Sequence, residues 1–192
     1  MGMAQGGKRL KADDWARAAL DALADGGIGG VSVEPLARRL GTSKGSFYWH
    51  FKNRDSLIQA AMELWEKVGT DEVIAELEDD KAASPRDKLR ALLSRVLSFG
   101  MASRIETSLL ASADHPLVGP VLERIGRKRI GYVAAQFEEM GMAGESARSK
   151  AVLMVSAYYG VSHVNRTTPG ALPGDDEKKD EFVELALRSL LD

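Results

Sequence analysis

One stretch of eleven residues, 44–54, concentrates hydrogen-bond donors and aromatic rings in the sequence KGSFYWHFKNR. Lysine, arginine and hydroxyl side chains donate to phosphate oxygens and to base edges. An exposed aromatic ring can contact a sugar or the methyl group of thymine. The residue types therefore favour non-covalent contacts to nucleic acid over bond-making chemistry.

Helical spacing separates these residues into two faces. If Phe47 is placed at the origin of a helical wheel, Phe51 lies near about +40° and His50 near about −60°. Gly45 then falls near about 160° and Trp49 near about 200°, on the opposite face. A core role explains the two phenylalanines, but so short a helix cannot bury Trp49 at the same time. We therefore expect Trp49 to point outward, beside a glycine that lets another backbone approach closely.

The elements that must hold this stretch are three predicted helices. The first runs from about 12 to 24 and is stopped by Gly26 and Gly27. Ser32 is a suitable cap for a second helix over about 33–40, and Ser43 for a third over about 44–50. The short turn between the last two predicts a helix-turn-helix, which places its second helix in a DNA major groove.

The remainder of the chain is also predicted to be helical. A long fourth helix begins near Asn53 and continues past Gly69, and hardly any segment alternates with period two. The fold class expected is all-α with about nine helices. The later five helices are predicted over about 85–99, 102–113, 118–140, 145–165 and 177–191.

Two segments resemble a known family. Residues 40–57, LGTSKGSFYWHFKNRDSL, are similar to the recognition-helix signature of the tetracycline-repressor (TetR) family, and residues 32–40, SVEPLARRL, resemble its supporting helix. The resemblance implies three DNA-binding helices and six regulatory ones, with Tyr48 and His50 on phosphates. Arg54 stands where the family has a phosphate-binding lysine. The candidate DNA contacts are Ser32, Thr42, Ser43, Lys44, Gly45, Ser46, Tyr48, Trp49, His50, Lys52 and Arg54.

The charge distribution agrees with a division into residues 1–54 for DNA binding and 55–192 for ligand binding and dimerisation. The first part holds nine Lys or Arg and five Asp or Glu, a net charge of +4. The second holds seventeen and twenty-three, a net charge of −6. A basic head on an acidic body suits phosphate contacts made by the head alone.

The last two helices are candidates for a homodimer interface, as the resemblance also implies. Both are apolar on more than one face, so each needs a surface beyond its own core. Ser156 and Gly160, four residues apart, would let a partner helix come close. Burial within one subunit is the alternative.

The resemblance also implies a small-molecule effector in the C-terminal part. Methionine and aromatic side chains suit an adaptable apolar cavity, although at helical spacing such residues also form ordinary core. The run Arg127, Lys128 and Arg129 is interpreted as a solvated face. The candidate ligand contacts are Met62, Trp65, Met101, Ile105, Phe137 and Tyr159.

These features predict a cytoplasmic transcriptional regulator that binds a palindromic or pseudo-palindromic operator and is no enzyme. Repressor is preferred because most of the family are repressors; an activator of the same fold stays open. A small helical enzyme is the rival from another class, but the chain has no nucleophile elbow and no phosphate-binding glycine loop. With three histidines and no cysteine, neither a metal nor a cofactor is expected. No apolar run is long enough for a membrane span.

Overall fold

The computed structural model describes residues 10–98, 100–168 and 170–191, and the described side chains are those of residues 10–95, 104–168 and 170–191. Within these ranges the chain forms ten α-helices and one π-helical turn and contains no strand, so the predicted all-α class is confirmed. The helices are α1 Ala12–Gly30, α2 Val33–Arg39, α3 Lys44–Tyr48, α4 Arg54–Glu66, α5 Glu72–Asp79, α6 Pro85–Ser98, α7 Gly100–Leu110, α8 Gly119–Glu139, α9 Gly144–Thr167 and α10 Asp176–Leu191.

The predicted fourth helix is a single rod with a wide turn inside it. The π-helical turn Lys67–Asp71 joins α4 to α5, and the backbone stays helical at both junctions. If this rod is counted once, the described residues hold nine helices, as expected from the sequence. A π-helical turn contains an extra residue, and such turns are frequent at functional sites.

The end of α1 differs from the prediction. The helix is broken at Gly27, where φ is +61°, but a further helical turn follows and runs to Gly30. A glycine pair therefore marks a break and not the end of the helix. Ser32 stands at the N-cap of α2 as expected, but its side chain makes no capping hydrogen bond.

The helix α3 ends earlier than predicted, at Tyr48 in place of residue 50. Trp49 nevertheless keeps helical backbone angles, and the amides of His50 and Phe51 donate to the carbonyl of Phe47 at 2.9 and 3.0 Å. The helical wheel thus remains valid up to Phe51. Ser43 caps the helix as predicted, accepting from the amide of Ser46 at 3.3 Å.

Two hydrophobic cores hold these helices together. The first contains side chains of the helices α1, α2, α3 and α4, of α7, and of the start of α8. The second joins α6 and the later part of α8 with α9 and α10. No helix within the described ranges has both the length and the hydropathy to cross a membrane. The division at residues 54 and 55 stays a prediction, since the first core contains side chains from both sides of it.

Candidate functional site

The candidate DNA-facing helix α3 is anchored through one buried ring. Phe47 is fully buried, with its ring centroid 5.5 Å from that of Trp15 in α1 and 5.6 Å from that of Phe51. The Trp15 contact is edge-to-face, the arrangement that aromatic quadrupoles favour. These contacts fix the rotation of α3 about its own axis and therefore decide which side chains face outward.

Two aromatic side chains are exposed at α3: Trp49 on the face opposite Phe47, and Tyr48 on the flank of that face. Trp49 is 87% exposed and Tyr48 is 58% exposed. Gly45 is also exposed, and a Cβ atom built there would have only the Ser43 hydroxyl within 4 Å, at 3.5 Å. The outward placement of Trp49 and Gly45 predicted from helical spacing is confirmed. Such a surface gains little in water but offers apolar contact to a groove.

Lys44, at the start of α3, is held by a carboxylate of α2. Its ammonium lies 2.8 Å from an Oε1 atom of Glu34, and both side chains are largely exposed. The hydrogen bond and the attraction between the charges lower the pKa of Glu34 and raise that of Lys44. The pair orients the lysine, but it also places a negative charge beside it.

The other candidate DNA contacts lie within α3, in the turns before and after it, and at the N-cap of α2. Thr42, Ser46 and His50 are half-buried, whereas Ser32, Ser43 and Lys52 are exposed. All of them except Ser32 lie within eleven residues of one another, so the turn and α3 bring them together. Their DNA contacts stay a prediction.

Arg54 has a structural task that the sequence did not indicate. Its Nε donates to the carbonyl of Val31 at 2.6 Å and its Nη2 to the carbonyl of Ile28. Ile28 lies in the last turn of α1, and Val31 is the C-cap that follows it. The guanidinium therefore links the start of α4 to the end of α1. A phosphate contact by Arg54, which the resemblance implies, would have to use the N–H groups that these two hydrogen bonds leave.

A cavity of about 530 Å³ lies among α1, α4, the π-helical turn and the helices α5 to α9. This volume is in the range of sites for drug-sized molecules. Two of the candidate ligand contacts, Trp65 and Ile105, lie in its wall. Its apolar wall includes Leu20, Trp65, Ile74, Leu93, Ile105 and Val155.

The remaining candidate ligand contacts do not line this cavity. Met62 and Phe137 are fully buried in the first and second cores, and Tyr159 packs against the second core. For these three the described structure favours the core alternative, because helical spacing shows burial without showing what a side chain packs against. Met101 lies outside the residues whose side chains are described.

A buried polar cluster forms one part of the cavity wall. Arg129 is 13% exposed and lies 2.6 Å from the carboxylate of Glu106, which is 2% exposed. The guanidinium also donates to the Thr70 hydroxyl at 3.1 Å and to the Gly69 carbonyl at 3.2 Å, both in the π-helical turn. The Tyr158 hydroxyl donates to Glu106 at 2.9 Å, and its ring lies under the guanidinium. Burial and the charge of Glu106 raise the pKa of Tyr158.

This cluster corrects the interpretation of residues 127–129 as a solvated face. Arg127 is exposed and pairs with Glu123 one turn away, as that interpretation expected. Arg129 instead points into the protein, and Lys128 bridges Glu66 at 2.7 Å and Asp71 at 2.8 Å. The buried partner of Arg129, in α7, is far away in sequence and gave no local signal.

The helices α9 and α10 leave apolar side chains uncovered in the single chain. Leu153 is 61% exposed, and Val152 and Leu185 are also exposed. Ser156 and Gly160 lie exposed on α9, and a Cβ atom at Gly160 would have no neighbour within 4 Å. The predicted additional face of these helices is therefore present.

Comparison with known proteins gives a consistent result. Residues 16–61 match the family described as bacterial regulatory proteins, tetR family. The class A tetracycline repressor from transposon 1721 of Escherichia coli is 29% identical over 157 residues, which are 81% of this chain and 66% of the relative. The Escherichia coli class C repressor is 40% identical over 55 residues, which are 29% of this chain and 25% of the relative. The chain thus spans less than two thirds of the length of either relative.

The fold is also found in solved structures. A transcriptional regulator from Rhodococcus sp. Rha1 superposes with a TM-score of 0.76 at 20% identity, covering 95% of this chain and 96% of that one. At this identity the likeness shows the fold alone. The similarity to bacterial regulatory proteins rests on the match over residues 16–61 and on the two repressor relatives. Over residues 16–61, which include its helix-turn-helix, this chain is similar to the bacterial regulatory proteins of the tetR family.

Proposed function

We propose that the chain is a homodimeric, sequence-specific transcriptional repressor that a small, largely apolar molecule releases from its DNA operator. The observation that carries the DNA-binding part is the exposed pair Tyr48 and Trp49 on a short helix whose other face is fixed by Phe47. Lys44 and Lys52 lie on the same basic head and supply phosphate or base donors.

The cavity supports the ligand-dependent part of the proposal. Its wall includes Leu20 and Asp21 of α1, Trp65 of α4 and Val155 of α9. A molecule seated there would contact the first helix of the DNA-binding head and the helices behind it at once. A ligand that prefers one position of α4 over another can shift the spacing of two heads without touching DNA.

The uncovered face of α9 supports the dimer. One α3 helix reads few bases, and two copies would read two half-sites with recognition helices about 34–36 Å apart, or at a longer spacing that closes on binding. Leu153 and Gly160 lie on the proposed contact surface, where a leucine provides apolar area and a glycine permits close approach.

The test begins by selecting bound DNA from a random pool with the purified chain, and then measures affinity for the selected sequence. The double variant Tyr48→Ala, Trp49→Ala should lower affinity by at least about tenfold. A matched control is Leu110→Ala, Met140→Ala, which removes two exposed apolar side chains elsewhere. Undiminished affinity in the first variant would contradict the assigned interface. A reporter gene behind the selected sequence then separates repressor from activator.

A further inference from the structure

All but one of the charged groups that line the cavity form ion pairs. Asp21 lies 2.6 Å from Arg39, Arg95 pairs with Glu76, and Arg129 lies 2.6 Å from Glu106. Of the charged wall residues, only the exposed Arg17 at the rim makes no ion pair within the described part of the chain. The deep part of the cavity therefore presents apolar side chains and neutralised charge.

Glu106 determines whether Arg129 can bind a charged ligand in the cavity. The carboxylate is almost fully buried, and one of its oxygens is held by both Arg129 and the Tyr158 hydroxyl. An anionic ligand placed on Arg129 would lie close to this carboxylate and be repelled by it. A cationic ligand would meet the guanidinium first. Either ion would also lose its hydration in a site whose buried charges already compensate one another, which is costly.

We propose that Glu106 makes the cavity selective for uncharged, largely apolar molecules, such as aryl ketones, by neutralising Arg129. The inference rests on the proposed ligand site and adds the charge of its occupant. The Arg129 guanidinium has five N–H groups and four oxygen partners, on Thr70, Glu106, Gly69 and Tyr159. A ketone oxygen can accept from the remaining N–H group, and this adds a preference over a pure hydrocarbon.

Four naphthalene probes of nearly equal shape test this by calorimetry: 2-acetylnaphthalene, 2-ethylnaphthalene, 2-naphthoate and 2-naphthylmethylammonium. The first two should bind, the ketone more tightly, and both ions should bind at least about tenfold more weakly at neutral pH. Equal or tighter binding of 2-naphthoate overturns the proposal, and so does the absence of binding by all four. If Arg17→Gln removes the tight binding of 2-naphthoate, the rim arginine is the selective group instead.

The variant Glu106→Gln should weaken the selectivity against 2-naphthoate. It keeps the shape and an oxygen for Tyr158 but leaves the charge of Arg129 unbalanced, so the affinity for 2-naphthoate should rise by about tenfold or more. The matched control is Glu66→Gln, which removes another buried carboxylate paired with an arginine, outside the cavity wall. Unchanged selectivity in folded Glu106→Gln overturns the proposal; if that variant does not fold, the four probes on the native chain decide.

The same preparations separate this inference from the proposed function. Operator affinity is measured on each of them in parallel. If the native chain binds the operator and also binds an ionic probe tightly, the proposed DNA-binding function is supported and only the proposed selectivity for uncharged ligands is contradicted. If the native chain binds no selected DNA sequence, the proposed function itself is contradicted.

Discussion

Phe47 and Trp49 stand two residues apart and have opposite environments. The first is fully buried against Trp15, and the second is 87% exposed. Residues two apart on a helix differ by about 200°, so one face cannot hold both. The contrast follows from spacing alone, which is why the sequence was sufficient to predict it. Trp49, the C-cap of α3, is not buried within the described chain, and we propose that a groove of DNA covers it.

The pairing of Lys44 with Glu34 leads to a prediction at the same scale. We expect Glu34→Gln to raise affinity for DNA a few-fold and to steepen its dependence on salt. The reason is that the variant removes a carboxylate near the phosphates and leaves the Lys44 charge for them. The control is Glu123→Gln, which breaks an exposed ion pair in α8, remote from α3. Affinity measured over a series of salt concentrations is the readout, and an unchanged or lower affinity in Glu34→Gln would contradict the expectation.

The role of a side chain could not be predicted from the sequence where its partner lies far away along the chain. Arg54 was predicted as a phosphate contact, yet its guanidinium binds carbonyls more than twenty residues earlier in the chain. Arg129 was interpreted as solvated, yet its partner Glu106 lies in another helix. Both side chains are the right type for either role. Only the packing of the helices decides between the roles, and helical period carries no information on that packing.

At the scale of elements, the sequence predicted helices well and their ends less well. The cap predicted at Ser43 is present, and its side chain accepts from the amide three residues later. Asn53, near which the fourth helix was predicted to begin, accepts from the amide of Ser56 in the same way. The π-helical turn was not predicted, because hydrophobic spacing can continue through one extra residue. Its consequence is local: it places Gly69 and Thr70 against Arg129 and in the cavity wall.

The break in α1 can be tested by a matched pair of glycines. Gly27 has φ +61° and ψ −159°, a region that residues with a Cβ atom hardly populate. Gly27→Ala should lower the free energy of unfolding by about 1–3 kcal/mol. Gly29→Ala, in the helical turn beyond it and without close neighbours, should be neutral or raise it by up to about 1 kcal/mol. Urea unfolding of both variants gives the comparison, and equal effects would argue against the strained break.

The link between α4 and α8 should be sensitive to acid. Hydrogen bonds from Arg124 and Lys128 lower the pKa of Glu66 to about 2, from an ordinary value of 4.5. The ionised form is thus favoured in the folded state. Its stabilising effect is present above about pH 5 and is lost as the pH falls towards 2.

Glu66→Gln should therefore cost about 1–2 kcal/mol of unfolding free energy at pH 7, discounted because Arg124 is half exposed. The difference from the native chain should shrink towards zero near pH 2. Glu181→Gln, an exposed carboxyl in α10, serves as the control. Unfolding free energies measured across this pH range check the trend, and a difference independent of pH would contradict it.

At the scale of the whole molecule, the sequence did not predict the two cores or the cavity that lies between their helices. The sequence predicted Trp65 and Ile105 as ligand contacts and also Met62 and Phe137, which are core. All four are apolar and lie on helices, so type and period could not separate them. Leu20 of α1 was not predicted at all, because nothing local connects the first helix with a distant cavity.

The uncovered face of α9 predicts the assembly. Sedimentation should give twice the chain mass of 20.8 kDa. Leu153→Glu and Gly160→Trp should each shift the chain towards monomer, because a charge or an overpacked side chain is costly in a close contact. Gly160 has open space in the single chain, so its variant should still fold. Leu110→Glu, at an exposed leucine elsewhere, should leave the mass unchanged, and a native chain that stays monomeric at micromolar concentration would refute the dimer.

Ligand and operator should oppose each other, since the cavity wall includes Leu20 and Asp21 of α1 as well as residues of α4, which follows α3 directly. If a ligand stabilises a conformer with the wrong spacing of the two α3 helices, it must bind that conformer better than the DNA-bound one. Linkage then requires operator DNA to weaken ligand binding by the factor by which the ligand weakens operator binding, typically about 5–150-fold. Calorimetry with and without saturating operator, for each compound that binds, measures this factor directly. Equal affinities for all of them would leave DNA binding intact and remove the ligand response, because a molecule that does not distinguish the two conformers cannot shift the balance between them.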